Sequence, residues 1–341
     1  MKPISSSPRI SGVAWVVRVI ALAGLCGNGL VVAQQPSAQS AQPSSAQTTQ
    51  ATGSGIPAGA QSFDTPQQAA DALVKAAEQF DGDALVRIFG PDGHDVVMTG
   101  EIAQDRQLAT NFAAEAHEKM SVSVDPKTGK RAFVIVGNEA WPFPVPLVKS
   151  GSKWYFDSKA GQQELVNRRI GANELDAIQI CRGYVEAQQQ YALQPRQGYQ
   201  VNQYAQRIIS TPGTQDGLIW KNSDGTFGGP IGEKIAEAIS QNYSSDEEAY
   251  HGYFFKVLKG QGPDAPLGQL DYVIKGAMIG GFALVAVPAE YRVTGVKSFL
   301  VSNDGVVYEK DLGESTLGEF KKMERFNPDK SWSPVQGEDE D

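Results

Sequence analysis

Histidine and cysteine are the scarcest reactive residues in this chain. It carries three histidines and two cysteines among 341 residues. His94, His117 and His251 stand far apart, with none of the short spacings that gather metal ligands. Cys26 lies within the first 33 residues, so a chain trimmed there keeps Cys181 alone and cannot close an internal disulfide. Its core must hold by packing, which a chain of this size can do. A basic surplus is also missing. The formal net charge is −9, so there is no broad cationic face to displace counterions from nucleic acid. Long apolar runs are absent beyond the leader. Gly276–Val287 is apolar but glycine-broken, about a dozen residues, the length of a pair of buried strands and too short for a membrane span. No Gly-x-Ser-x-Gly elbow occurs. Gly260-Gln261-Gly262-Pro263-Asp264-Ala265-Pro266 lacks the Gly-Lys-Ser/Thr that makes a phosphate cradle, and reads as a tight surface loop between strands. Nothing in the chain calls for a cofactor.

What is present begins with an address. Lys2 and Arg9 form a positive start, with Arg18 at its end, followed by the short apolar run Val19–Leu25 and then Val31-Val32-Ala33. That is the anatomy of a cleavable signal peptide, residues 1–33, with cleavage expected after Ala33. Lipidation at Cys26 is the alternative, disfavoured by Leu25 where a lipoprotein signal has a small residue. Removal of the leader takes away Lys2, Arg9 and Arg18 and no acid, leaving an acidic product that repels anionic lipid. The expected location is the periplasm or the exterior, with no membrane span after cleavage.

Residues 34–60 are Gln, Ser, Ala, Thr, Pro and Gly with little to bury, and read as a disordered linker. From Thr65-Pro66-Gln67-Gln68 a capping box opens a helix whose stripe is Ala69, Leu73, Ala77 and Phe80. A short helix carries Leu85, Val86, Ile88 and Phe89 to Gly90-Pro91, and a third covers 103–117. The period then changes. Residues 121–124 and 131–136 are strands joined by Asp125-Pro126-Lys127-Thr128-Gly129; Phe143, Val145 and Leu147 alternate, as do Trp154 and Phe156. A long helix over 162–193 has the stripe Leu175, Ile178, Cys181 or Arg182, and Val185. Short helices are expected over 204–209 and 231–239, and strands over 252–258, 282–288, 295–302 and 306–310, the last two joined by Ser302-Asn303-Asp304-Gly305. The fold class is therefore α+β in two domains, each an antiparallel sheet packed on helices: 61–160 and 161–332, with 333–341 an acidic tail.

Several stretches carry a resemblance. Arg168–Leu175, His251–Lys256, Gly260–Pro263, Met278–Ala286, Asp304–Gly313 and Phe326–Trp332 look like one exported bacterial family, domain of unknown function 2950, over about residues 63–332. Phe143–Lys149 with Lys153–Asp157 resembles the closing hairpin of NTF2-like or cystatin-like folds. Ala187–Ala192, Arg196–Tyr199, Gly252–Phe255, Ala286–Tyr291, Thr294–Val301 and Asp304–Val307 are similar to globular heads of type IV pilin-like proteins. The chain lacks the hydrophobic segment that precedes a pilin's helix, so this second resemblance implies a shape and not fibre assembly.

Candidate chemistry is sparse. His94 between Asp92 and Asp95 has the parts of a general base, though Asp92-Gly93 more simply makes a turn. Cys181 falls on an apolar stripe and reads as a small buried hydrophobe. Arg168 and Arg169 read either as a grip for an anion or as a solvated helix face; Glu290 and Tyr291, just past Pro288, either line a ligand groove or merely leave the sheet. No metal site is expected. The leading expectation is an exported envelope protein that binds or scaffolds an envelope protein or small ligand without catalysis. The alternative is a periplasmic hydrolase with a His/carboxylate site in the N-terminal domain.

Overall fold

In the computed structural model, residues 55–97, 102–195, 201–231 and 249–336 are described. The leader, its cleavage site, Cys26, most of the linker, the helix expected over 231–239 and the acidic end beyond 336 lie outside them. The fold is α+β, in two compact units that divide after Leu165.

The first unit begins with α1, Pro66–Glu78. Thr65 accepts from the Gln68 amide at 3.1 Å while the Gln68 side chain accepts from the Thr65 amide at 3.3 Å, so the expected capping box is formed. Ala69, Ala70, Leu73, Val74, Ala76 and Ala77 are its buried face. α2, Gly82–Phe89, is capped by Asp81 and stops at Gly90, whose φ of 73° favours glycine. A 3₁₀ turn, Pro91–Gly93, leads into the single turn α3, His94–Val97, and α4 follows over Ile102–Glu118. The sheet is antiparallel, with β1 (Met120–Val124), β2 (Arg131–Val136), β4 (Leu147–Ser150) and β5 (Lys153–Phe156) in that spatial order and β3 (Trp141–Pro142) beside β2. Its core is a set of rings. Phe143 lies 5.3 Å from Phe112 and 6.2 Å from Phe156, centroid to centroid, and Phe89 lies 5.0 Å from Phe156.

The alternation expected from Phe143 to Leu147 is not a strand. All five residues are buried and the ladder resumes only at Leu147. Pro144 and Pro146 have no amide to donate, so the segment keeps only isolated main-chain bonds, from Phe143 N to Val134 O at 2.7 Å and from Asp157 N to Pro146 O at 2.9 Å, in place of a ladder.

The second unit is led by α5, Ser158–Tyr191, whose first turns belong to the first unit. Its buried face is Ala177, Cys181, Tyr184, Val185, Ala187, Gln188 and Tyr191. Leu175, expected on that face, is 60% exposed, because the stripe rotates towards the tyrosines and Gln188. The sheet is antiparallel, in the order β17 (Ser333–Pro334), β16 (Val307–Asp311), β15 (Lys297–Ser302), β14 (Ala283–Pro288), β9 (Tyr253–Leu258). All six residues of β14 are buried. α6, Thr316–Lys322, packs against β14. Strand β17 carries pairing two residues into the segment read as an acidic tail.

The helix expected over 204–209 is instead a strand. β6 (Arg207–Ile209) runs parallel to β7 (Gly217–Lys221), which pairs with β8 (Phe227–Gly228). Branched Ile208 and Ile209 suit extended backbone, and Gly217 allows the approach: a Cβ there would fall 2.6 Å from the Ser210 amide. The Gly260–Pro266 segment also differs from the surface loop expected. Gly260, Gln261 and Gly262 are buried, and β10 (Gly260–Gln261) pairs with β11 (Leu270–Asp271). The Gln261 amide donates to Gly268 O at 2.7 Å and its oxygen accepts from the Tyr272 hydroxyl at 2.9 Å.

Candidate functional site

The N-terminal candidates occupy a turn. Asp92 is exposed in the 3₁₀ turn, its main-chain oxygen accepting from Gln162 at 2.8 Å and its carboxylate 3.8 Å from the Lys159 ammonium. A Cβ on Gly93 would collide with Phe89, so the turn is pressed against α2. His94 is exposed and opens α3, in which Asp95 is the second residue. His117, near the end of α4, meets Glu78 at the end of α1. Their side chains are 64% and 39% exposed, so the pair faces water and is not enclosed.

A denser polar cluster lies where α5 passes one end of the second sheet. Tyr250 and Tyr253 exchange main-chain hydrogen bonds of 2.8 and 3.0 Å around His251 and Gly252, which have φ of 48° and 73°. Two left-handed residues in a two-residue loop are the requirement of a type I′ hairpin turn, so the backbone of His251 is set by the turn. From α5, Asp176 meets His251 Nδ1 at 2.6 Å. Gly252 leaves room for Asn173, since a Cβ there would sit 2.5 Å from its Nδ2.

One turn back on α5, Asn173 donates to Thr294 O at 2.8 Å. Glu174 Oε1 accepts from the amides of Val296 and Lys297 at 2.8 and 2.9 Å. From within the sheet the Tyr253 hydroxyl donates to Lys297 O at 2.8 Å, and burial pushes its pKa well above the usual phenol value. Three side chains thus bind the main chain of 294–297. Gly295 is tight against them, because a Cβ would fall 2.2 Å from the Tyr253 oxygen.

Of the four residues singled out as ligand candidates, Arg169, Glu290 and Tyr291 lie beside this clasp, Thr294 N donating to Glu290 O at 2.9 Å. Arg169 is half-buried, which lowers its pKa, and the nearby Glu290 carboxylate acts the opposite way. Arg168, also half-buried, precedes it on α5. Tyr291 donates to Asp311 Oδ2 at 3.1 Å, and the Arg292 guanidinium lies 5.3 Å from its ring centre. Arg292 and Glu290 are exposed. Arg169, Glu290 and Tyr291 therefore share a neighbourhood, while His94, Asp92 and Asp95 belong to the other unit.

A family profile described as protein of unknown function (DUF2950) matches residues 60–335. The chain belongs to this DUF2950 family. The match spans both units, so both the turn at Asp92 and the clasp at 294–297 fall within the family domain. No curated protein and no solved structure matches the chain.

Sequence reasoning missed Asn173, Glu174, Asp176 and His251 as a group. The one available signal was the rarity of histidine, since Asp176, seven helical residues past Arg169, gives no hint of where His251 folds back. Among the described residues no three or more His, Cys, Asp or Glu side chains gather to hold a metal ion. Cys181 is fully buried, and burial raises its thiol pKa to about 12. It stays a protonated, apolar-facing thiol, as the stripe suggested.

Proposed function

We propose that this DUF2950 protein is exported, loses its leader after Ala33, and acts in the periplasm or outside the cell as a non-enzymatic binding or scaffolding protein. The observation that carries the reading is the use to which its polar side chains are put. Glu174, Asn173, Tyr253, Gln188 and Gln261 all hold main-chain groups, which makes a rigid support for an exposed rim. That rim, Glu290, Tyr291 and Arg292 beside Arg169, offers both charge signs and an aromatic ring, a surface suited to a polar partner. The helix-on-antiparallel-sheet layering supports the likeness of the first unit to NTF2-like or cystatin-like folds and of the second to pilin-like heads. Among the described residues no helix is long and apolar enough to cross a membrane.

The test is retention on immobilised protein. The chain from Gln34 should hold a defined component of an envelope extract, and Tyr291→Ala with Arg292→Glu should abolish retention with an unchanged melting curve. Equal retention by the variant would overturn the assignment of the rim. Mass spectrometry of the cell-derived protein should find Gln34 as its first residue; an intact Met1 would contradict the export reading.

A hydrolase is the second reading, favoured by the contact of His117 with Glu78 in the N-terminal unit. It requires activity on an ester, amide or glycoside panel that His117→Asn removes.

A further inference from the structure

The two edges of the first unit's sheet are finished differently. At β5, Phe63 exchanges main-chain hydrogen bonds with Trp154, both 2.8 Å, and closes the ladder. At β1, no strand among the described residues pairs with the outward side. The bonds from Asp125 N to Arg131 O at 2.8 Å and from Gly137 N to Lys119 O at 2.9 Å fix the phase of the strand. Residues 119, 121, 123 and 125 direct their main-chain groups to β2, so those of Met120, Val122 and Val124 point outward. The usual protections of an edge are missing. The strand reads Met-Ser-Val-Ser-Val, with no proline and no charge, and its register from Met120↔Val136 to Val124↔Ala132 has no bulge. Val124 is 42% exposed.

We propose that this edge pairs with the same edge of a second copy, antiparallel, about a two-fold axis at Val122. That axis sets every other neighbour. Met120 then faces Val124 of the partner copy, Ser121 faces Ser123, and Lys119 faces Asp125 at both ends. The outward groups of Met120, Val122 and Val124 become hydrogen-bonded pairs. The half-buried Met120 and Val122, packed on the core, continue as one apolar face, while Lys119, the serines and Asp125 share the other. An axis at Ser121 or Ser123 keeps the faces but leaves Lys119 and Asp125 without an opposite charge. Charge complementarity therefore selects both the partner, a second copy, and the register. Asp125 is ready for this role. The Thr128 hydroxyl and then the Lys127 amide hold its pKa below the ordinary value, and it stays ionised at neutral pH.

Sedimentation of the chain carrying Cys26→Ser should show a concentration-dependent dimer. Lys119→Glu and Asp125→Lys should each weaken it about tenfold or more, because each sets like charges opposite at both ends. An equimolar mixture of the two should recover the dimer, an outcome that a folding defect in either variant would not produce. Val122→Cys in the Cys26→Ser chain should cross-link to itself on mild oxidation, while Val124→Cys, which faces Met120, should not. A wild-type chain that stays monomeric up to ~100 μM, well above the range of a specific homodimer, overturns the proposal. So does a dimer that neither charge variant weakens, or one that Val124→Cys cross-links as well as Val122→Cys.

Discussion

The two units bury different chemistry. The first closes mainly on hydrocarbon, with Phe89, Phe112, Phe143 and Phe156 packed tilted or edge-on in one cluster with Ala132, Val134 and Val136, and Asp105 and Ser158 the buried polar side chains among its described residues. The second threads polar groups through its core. Gln188, fully buried, donates to Ala205 O at 2.8 Å and accepts from Ala205 N at 2.8 Å; Gln261 holds the loop at 266–268; Tyr253 and Glu174 hold 296–297. Apolar packing is tolerant of shape, whereas a buried amide has one satisfied position. The second unit should therefore be specified by a few side chains whose loss is felt as unpaired backbone.

Substitutions can break that contrast. Phe143→Ala should cost about 3–5 kcal/mol in urea unfolding, since it removes the ring that joins Phe89, Phe112 and Phe156. Gln188→Leu should cost about 2–4 kcal/mol although it makes the core more apolar, because it strands both main-chain groups of Ala205. A similar apolar exchange in the first unit, Leu73→Met, should cost less than about 1.5 kcal/mol. Equal losses for the last two would erase the distinction. Tyr253→Phe should lose about 1–2 kcal/mol through the Lys297 carbonyl. Thr65→Ala should lose about 1 kcal/mol with the cap of α1.

The smallest effect concerns pH. Asp125 has a folded pKa below its unfolded value near 3.8. Its contribution to stability is thus complete above that value and is lost as pH falls through the lower folded one. Thr128→Val removes the larger cause, so a wild-type advantage seen at neutral pH should vanish in strong acid. An advantage that persists below the folded pKa would mean that the hydroxyl acts through packing.

Much of the first unit was legible because its signals are local. The Thr65–Gln68 box and the Asp125–Gly129 turn each act within a few residues. Phe143–Leu147 misled because alternation reports burial, and two prolines forbid the ladder that usually accompanies it. In the second unit the sheet strands were legible from apolar runs, but α5 was rotated in the reading: Leu175 is exposed while Gln188 is buried. Hydrophobic periodicity cannot anticipate an amide whose partners lie 17 residues away. The candidate site shows the same division. Glu290 and Tyr291 were singled out as candidates from their place after a buried strand, whereas Glu174 and Asp176 look like any solvated helical acids until residues 251 and 296 fold against them.

The central claim is that the polar residues of the second unit hold its fold. Cys181 reports on this directly, being buried in that unit and the one cysteine left in a Cys26→Ser chain. Native-state labelling of its thiol should be slow in wild type and markedly faster in Glu174→Gln and Gln188→Leu. Unchanged protection in both would contradict the account.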